Sequence, residues 1–348
     1  PSWTMIRSKL PRLLRFPVLF AGISLALLPA PRAGAQPESF AAYLQVVGSH
    51  ARQQGVSEGT ITSVLAGLTP NQRVIDLDNS QPGSPGTTPL LAPYIARHVG
   101  GAIISRGRDR YAKLAPMLPG IEERFGVPAS MLFAIWGHET NYGSYTGDFD
   151  LARSLATLAW EGRRRALFES ELIALMKMVD RGVPREKLKG SWAGAFGNPQ
   201  FLPSVYLRVA RDGDGDGDAD IWNSRADTFA SIANYFKDAG WRPGEPWGVR
   251  ADSPAGLNRQ LLTTRLDAPS CPRVHNRHSV WKTVAEWRAL GVIPRAPIAD
   301  STLAVLFEPD GPGNGSFLLT GNYRVILHYN CSNYYALSVG LLADEIAR

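Results

Sequence analysis

Apolar side chains recur at helical spacing along most of the chain. The pattern predicts one group of helices within residues 38–68 and a second group within 91–125, which ends at Gly126. Later helices are predicted over 128–143, 168–179, 225–240, 279–290 and 334–346. The spacing therefore favours a mainly helical protein.

Loop and strand patterns interrupt these helices. The stretch 78–89 is dense in Pro, Gly, Ser and Thr, which is typical of an extended surface loop. Segments 190–204 and 211–223 are also loop-like, because glycine recurs in both. Residues 304–308 and 316–330 predict short strands around a turn. The expected class is therefore mainly α (α+β), with a small β element.

Residues 1–35 have the pattern of an export signal. A basic stretch precedes the apolar run Phe16 to Leu28, and small residues then lead to an expected cleavage after Ala35. A membrane anchor is the alternative, but 13 apolar residues are fewer than the ~20 that a spanning helix needs. No cysteine near the cut could accept a lipid, so we expect a soluble exported protein.

The net charge depends on that segment. The whole chain has 37 Lys and Arg against 31 Asp and Glu, but five of the basic residues lie within 1–35. The remaining chain has a net charge of +1. It lacks the basic excess of nucleic-acid-binding proteins, so no nucleic-acid partner is expected.

The two cysteines, Cys271 and Cys331, have no metal-ligand spacing. In an exported chain they could form a disulfide. They could equally be two buried apolar side chains, and the sequence leaves both interpretations open.

Glu139 is the most informative single residue. It shares a predicted apolar helix stripe with Leu132, Ile135 and Trp136. Burial disfavours the charged form of a carboxyl group and raises its pKa, as protonation of a glycosidic oxygen requires. The alternative is a structural glutamate at a helix end that pairs with an arginine.

Several other polar groups could contact a ligand. Ser191 and Gln200 offer neutral hydrogen bonds within a rigid segment of Gly, Pro and aromatic residues. The run Arg163-Arg164-Arg165 could bind a carboxylate, although such runs are usually solvated surface. The stretch 329–336 supplies Tyr329, Asn330, Tyr334 and Tyr335, which suit sugar rings or an ordinary helix corner.

Separated motifs occur together and in a fixed order: AIWGHETNYG, GRRR, KGSWAGAFGNPQFLPSVY, DIWNSRADTFASIANYFKDAGW and ILHYNCSNYYALSVGLLAD. With these motifs the chain resembles the lytic murein transglycosylase B family from about Phe40 to Ile346. The resemblance implies a lysozyme-like helical catalytic core with a small β element and a glycan cleft. It also implies non-hydrolytic cleavage of the MurNAc–GlcNAc β-1,4 bond, which leaves a 1,6-anhydro-MurNAc end.

The resemblance also implies roles for individual residues. Glu139 takes the catalytic position, and we expect it to act first as acid and then as base. The implied glycan-binding residues are Arg163, Arg164, Ser191, Gln200, Tyr329, Asn330 and Tyr335. Asn198-Pro199 and His138 depart from the family pattern, and His138 is expected to face away from the apolar stripe. A hydrolytic muramidase and a non-catalytic peptidoglycan-binding protein remain the alternatives.

A calcium site is predicted in the acidic loop. Asp212, Asp214 and Asp216, followed by Gly217, match the start of an EF-hand loop, but Asn223 stands where a bidentate Glu is usual. The resemblance implies that Asp227 completes the coordination and that Asp218 contributes its backbone carbonyl. The alternative is a solvated acidic loop without a metal ion.

The predicted organisation has four parts. A signal peptide (1–35) precedes an N-terminal helical region (36–125), a lysozyme-like catalytic core with the EF-hand-like loop (126–250), and a C-terminal region with short strands and a closing helix (251–348). We expect a periplasmic monomer that acts on peptidoglycan glycan strands, with other cell-wall enzymes as possible partners and no organic cofactor.

Overall fold

The computed structural model describes residues 38–81, 89–264 and 271–348. The predicted signal peptide and most of the predicted loop 78–89 lie outside the described residues. Within the three described ranges, no helix has both the length and the apolar character needed to cross a membrane.

Helices make up most of the described chain. The α-helices are α1 Phe40–Gln53, α2 Glu58–Leu65, α3 Gln72–Asn79, α4 Leu91–His98, α5 Gly101–Leu114, α6 Leu118–Phe125, α7 Ala129–Thr140, α8 Leu151–Glu161, α9 Arg165–Asp180, α10 Pro203–Val209, α11 Arg225–Asp238, α12 Pro272–His275, α13 Val284–Ala289, α14 Gly321–Tyr329 and α15 Asn333–Ile346. Short 3-10 turns lie at Ala115–Met117, Arg185–Lys187 and Arg259–Leu262. The predicted mainly helical class is confirmed.

Two small antiparallel sheets accompany the helices. The strands are β1 Phe149–Asp150, β2 Lys189–Gly190, β3 Gly248–Asp252, β4 Lys282–Thr283, β5 Ile293–Pro294, β6 Leu303–Phe307 and β7 Ser316–Leu319. β1 pairs with β2, and the other five follow the order β4-β6-β7-β3-β5. Leu318 at the centre of the larger sheet is opposite Leu306 on one side and Val249 on the other.

Helix α7 is buried on all sides along most of its length. Every residue from Ala129 to Gly137 is buried, in an apolar cluster shared with α6, α11 and α15. Phe133 and Trp136 pack on Phe229 of α11, with ring centroids 4.7 and 5.4 Å apart. A helix that is apolar on every face is stable only inside a core, so this packing fixes the position of its last turn.

A second apolar cluster joins α1, α2, α8 and α9 to the segment 196–221. A third cluster covers the face of the larger sheet on which Trp287 of α13 packs. The segment 190–204 thus lies between the α1–α9 cluster and the end of α7.

The prediction of strands over 321–330 was wrong, because these residues form α14. Thr320 caps the helix by accepting the N–H of Asn322 with its side chain. Val325 and Ile326 favour strands locally, but both are buried at helical spacing in the main cluster. Tertiary burial therefore overrides the local β preference.

Two other boundaries differ from prediction. The helix expected over 279–290 begins only at Val284, where Thr283 and Glu286 form a capping box and Lys282–Thr283 form a strand instead. Residues 78 and 79, placed in a loop by the sequence, complete α3.

Cys271 and Cys331 form a disulfide, which the sequence left open. The bond closes a loop of 60 positions and ties the start of α12 to the residues between α14 and α15. It therefore crosslinks the C-terminal region next to the predicted glycan-binding tyrosines.

Candidate active site

Glu139 lies in the last turn of α7 with a partly exposed side chain. Burial of the carboxyl group raises its pKa from 4.5 to about 7, although a hydrogen bond from Tyr335 opposes this rise. The Tyr335 hydroxyl donates that bond to Oε1. A large share of Glu139 therefore remains protonated near neutral pH, unlike an ordinary glutamate.

Tyr335 reaches Glu139 from α15, which packs along α7. Ser332 caps α15 by accepting the N–H of Tyr335, so the tyrosine lies in the first turn. Burial and the nearby Glu139 carboxylate raise the pKa of the phenol well above its usual value. The hydroxyl therefore stays protonated and acts as a donor.

His138 was expected to face away from the apolar stripe, and its ring packs against α15 while part of the residue stays exposed to solvent. Its ring lies between α7 and α15, where Nδ1 is 3.1 Å from the Ala134 carbonyl oxygen and Nε2 is 2.7 Å from Ser338 Oγ. Burial lowers its pKa to about 4, so the ring is neutral at physiological pH. Its edge packs on the ring of Tyr335, with centroids 5.7 Å apart. The face of α7 that carries His138 is therefore covered in part by α15.

Ser191 and Gln200 lie in the segment 190–204, beside the turn that follows α7. Gln200 has φ 51° and donates through Nε2 to the carbonyl oxygen of Thr146 at 3.0 Å. Ser191 Oγ accepts the N–H of Ala195 at 3.0 Å. Gly147 approaches Gly190 so closely that a Cβ would collide with its backbone. The close approach fixes the segment against the end of α7.

Asn198 joins three parts of the site, and sequence reasoning missed this role. Its Oδ1 accepts Trp136 Nε1–H at 2.8 Å, and its Nδ2 donates to the carbonyl oxygens of Ile221 and Trp222 at 3.1 and 2.9 Å. Its carbonyl oxygen accepts the Thr140 hydroxyl. This departure from the family pattern therefore has a structural role, connecting α7 to the segment that carries Gln200.

Tyr329 ends α14 and joins it to the same segment. Its hydroxyl donates to the carbonyl oxygen of Pro199 at 2.5 Å. Burial raises its pKa well above the usual value, and the Glu139 carboxylate raises it further, so the two groups are within electrostatic reach. Asn330 follows as the exposed C-cap of α14. The structure thus brings Glu139, Tyr329 and Tyr335 together, with Gln200 next to Pro199.

Arg163 and Arg164 contact Asp78 of α3. Arg163 Nε lies 3.1 Å from Asp78 Oδ2, and Arg164 Nη2 lies 2.7 Å from Oδ1. Burial favours a raised pKa for Asp78, but the two guanidinium donors outweigh it and lower the pKa. The ion pairs of these arginines are with α3 and not with Glu139, and both guanidinium groups keep an exposed face.

A cavity of about 640 Å³ adjoins Glu139. The end of α7 and the turn after it form one wall, and α4 and α5 form the other. The polar and aromatic side chains in its wall are Arg97, Arg106, His138, Glu139, Thr140, Asn141, Ser144 and Tyr145. Among the described residues that line the cavity, Glu139 is the only acid.

The acidic loop brings three of the predicted metal ligands together. One oxygen each from Asp212, Asp214 and Asp216 lies within 4.8 Å of the others. Asp212 also accepts the N–H groups of Gly217 and Gly215 at 2.7 and 2.6 Å, and these bonds lower its pKa. Three converging carboxylates are a donor set that suits a hard cation such as Ca²⁺.

Asp227 has a different position from this trio. It is buried in the first turn of α11, where Oδ1 accepts the N–H of Gly213 and Oδ2 the N–H of Asp220, each at 2.7 Å. Asp218 Oδ1 accepts the N–H of Ala219 at 2.8 Å. Asp227 therefore ties both ends of the loop to the helix core.

Comparison with known proteins gives a consistent result. Residues 39–344 match the family described as "Transglycosylase SLT domain". Membrane-bound lytic murein transglycosylase B of Escherichia coli is 33% identical over 227 residues, which cover 64% of this chain and 58% of that protein. The match thus spans a little over half of the relative's length.

Two solved structures share the fold. SltB3 from Pseudomonas aeruginosa, in complex with NAG-anhNAM-pentapeptide, has a TM-score of 0.80 and 36% identity, covering 89% of this chain and 80% of that one. Escherichia coli Slt35 in complex with calcium has a TM-score of 0.71 and 26% identity, covering 88% and 92%. These similarities extend well beyond α7, over nearly the whole described chain.

Proposed function

The chain belongs to the transglycosylase SLT domain family, and on this basis we propose that it is a lytic murein transglycosylase. It cleaves the MurNAc–GlcNAc β-1,4 bond of peptidoglycan and leaves a 1,6-anhydro-MurNAc end. The main support is Glu139, a carboxyl group with a pKa of about 7 that opens onto a cavity with no second acid among its described lining residues.

One carboxyl group can perform both proton transfers. Ordinary glycosidases use two carboxylates about 5–5.5 Å or 6.5–9.5 Å apart. Here protonated Glu139 gives its proton to the leaving GlcNAc oxygen, while the MurNAc N-acetyl oxygen bonds to the anomeric carbon. The Glu139 carboxylate then removes the proton of the MurNAc 6-hydroxyl, and O6 replaces the acetyl oxygen at that carbon. No water is consumed, and Glu139 ends protonated.

The neighbouring residues support this cycle. Tyr335 donates to Glu139 Oε1 and stabilises the carboxylate that exists between the two transfers. We assign glycan contacts to Ser191, Gln200, Tyr329 and Asn330. Arg163 and Arg164 can bind a substrate carboxylate with the exposed N–H groups that Asp78 leaves available.

Digestion of purified sacculi tests the reaction. The full chain should release muropeptides one water lighter than hydrolysis products, with no label when the digest is made in H₂¹⁸O. Glu139→Gln should bind sacculi and release nothing, whereas Glu123→Gln, an exposed matched change on α6, should behave as the parent. Labelled reducing ends would identify a muramidase, and binding without release by the parent would identify a non-catalytic protein.

Calcium binding is part of the proposal. Asp212, Asp214 and Asp216 would hold the ion, with the Asp218 carbonyl and Asp227 as further candidates, and the ion would order the loop before α11. Calcium should raise the Tm and chelator should lower it, with Asp216→Ala removing the difference. Asp109→Ala, which breaks an exposed ion pair with Lys113, is the control, and it should keep the difference in Tm between calcium and chelator. A Tm that ignores millimolar calcium would contradict the assignment, since extracellular modules bind at ~10⁻⁴–10⁻³ M.

We further propose export to the periplasm. The pattern of residues 1–35 and the Cys271–Cys331 disulfide both suit an oxidising compartment outside the cytoplasm. Cell fractionation with N-terminal sequencing of the mature chain tests this. Full-length protein confined to the cytoplasm would contradict it.

A further inference from the structure

The cavity beside Glu139 has two arginines in its wall that the proposed chemistry does not use. Arg97 lies in the last turn of α4 and Arg106 in the second turn of α5, and both are exposed. They lie on the opposite wall from the end of α7. A substrate in the cavity would therefore meet them close to the bond that Glu139 protonates.

These arginines differ in their contacts from the Arg163–Arg164 pair. Arg163 and Arg164 share the carboxylate of Asp78. Within the described part of the chain, Arg97 and Arg106 pair with no carboxylate. Arg106 donates to Asn141 Oδ1 at 2.8 Å, a neutral acceptor that orients the guanidinium group without neutralising it. Two positive charges in the cavity wall thus lack an anion.

The wall that carries Arg106 is held firmly. The Tyr142 hydroxyl donates to the carbonyl oxygen of Ile103 at 2.8 Å, which ties α5 to the turn after α7. Gly107 lets α5 approach so closely that a Cβ there would collide with this hydroxyl. Because the helix that carries Arg106 is fixed in place, less conformational entropy is lost when a ligand binds there.

The opposite rim has an exposed aromatic residue. Tyr145 is 67% exposed, in the turn after α7, and lines the same cavity with Ser144. An open aromatic face beside two free guanidinium groups suits a ligand that has both a sugar or peptide surface and a negative charge.

The arginines do not serve to tune Glu139. Burial and the Tyr335 hydroxyl account for the pKa of Glu139, and no guanidinium group contributes to it. The charge of Arg97 and Arg106 is therefore available to the substrate.

We infer that Arg97 and Arg106 form a carboxylate-binding site that holds an acidic group of the glycan strand next to the scissile bond. This inference rests on the proposed function. The carboxylate has two possible sources, the lactyl group of a peptide-free MurNAc and the stem peptide. Both offer planar oxygen pairs that match the guanidinium fork.

Calorimetry with three soluble ligands tests the inference, using full-length Glu139→Gln so that binding occurs without cleavage. The ligands are peptide-bearing strands, peptide-free strands, and peptide-free strands whose carboxylates have been converted to carboxamides. Adding Arg97→Gln and Arg106→Gln should raise Kd about tenfold for a carboxylate ligand and leave the carboxamide unchanged. The control adds Lys237→Gln and Arg273→Gln, which remove the same charge from exposed positions outside the cavity lining.

The result identifies the source. If the arginine changes weaken the binding of peptide-free strands, the bound group is the lactyl carboxylate. If they weaken the binding of peptide-bearing strands alone, the bound group is a carboxylate of the stem peptide. Equal loss with the carboxamide, or no loss with any ligand, overturns the inference.

Kinetics of the same arginine changes in the active chain separate this inference from the proposed function. The arginine changes should raise KM. They should leave kcat and the pH dependence of kcat unchanged. If the parent makes anhydro products but the arginine variants bind normally, only the inference fails. If binding depends on the arginines but the parent makes no anhydro products, the proposed function fails and the binding site stands.

Discussion

The hydrogen bond from Tyr335 to Glu139 gives the sharpest test of the proposed mechanism. The bond stabilises the carboxylate form and lowers the pKa that burial alone would give. Tyr335→Phe removes the hydroxyl and keeps the ring that packs on His138. A hydrogen bond to a charged group contributes about 1.5–3 kcal/mol, and about 1.4 kcal/mol corresponds to one pH unit. The pKa of Glu139 should therefore rise by about one to two pH units in the variant.

The direction of the pH change follows from the role of Glu139 as the acid. Cleavage requires the protonated form, so kcat/KM should fall as pH rises through the pKa of Glu139, which is about 7 in the parent. In Tyr335→Phe this alkaline limb should move to higher pH. The kcat at the acid plateau should fall about ten- to hundredfold, because the carboxylate formed during the reaction loses its donor.

Release of anhydro-muropeptides, followed as a function of pH, measures both effects. The pH range should run from about 4 to about 10, the ordinary pKa values of a carboxyl group and a phenol. The matched control is Tyr334→Phe, whose hydroxyl donates to the Pro89 carbonyl oxygen instead. Its alkaline limb should stay in place. An unmoved or downward-shifted limb in Tyr335→Phe would refute the reasoning that this bond stabilises the charged form of Glu139.

Three further changes test stability. Glu139→Gln should be more stable than the parent, because the amide removes the cost of ionising a buried acid. The difference in the free energy of unfolding should grow between pH 4.5 and about 7 and reach about 3 kcal/mol. Urea unfolding at about pH 5 and about pH 8 measures this difference, and a difference that does not change with pH would contradict the prediction. Asn198→Ala should lower the free energy of unfolding by about 2–4 kcal/mol, since it removes the acceptor of Trp136 Nε1–H and the side-chain donor to two carbonyl oxygens. A loss below about 1 kcal/mol in denaturant titration would refute the structural role of this side chain. Replacing Cys271 and Cys331 by Ser should cost about 4 kcal/mol, because the disulfide closes a loop of 60 positions, and parent protein treated with reductant should show the same fall in Tm.

Local pattern was enough to predict the helix that carries Glu139. The apolar stripe of α7 and the carboxylate on it follow from spacing within a dozen residues, and the structure buries both as expected. Residue pattern also singled out polar groups in distant parts of the chain, but only the family resemblance implied that they share one site. Spacing alone has no means of bringing Gln200 and Tyr329 to the same place.

The errors came from long-range packing. His138 lies next to Glu139 in sequence, and only the structure shows that its ring packs between α7 and α15. Asp78 lies 85 positions before Arg163, so no local pattern could show that its carboxylate forms ion pairs with Arg163 and Arg164. The β-branched run in α14 favours a strand until its burial in the main cluster is known.

The separation between Glu139 and Tyr335 has a consequence during protein synthesis. Their hydrogen bond spans 196 positions. At about 5–20 residues per second, a ribosome needs roughly 10–40 s to reach Tyr335 after adding Glu139. Until the helix that carries Tyr335 docks, Glu139 lacks both the hydroxyl that donates to it and the packing of α15 along α7. The groups that set the pKa of Glu139 therefore come together only late in the folding of the chain.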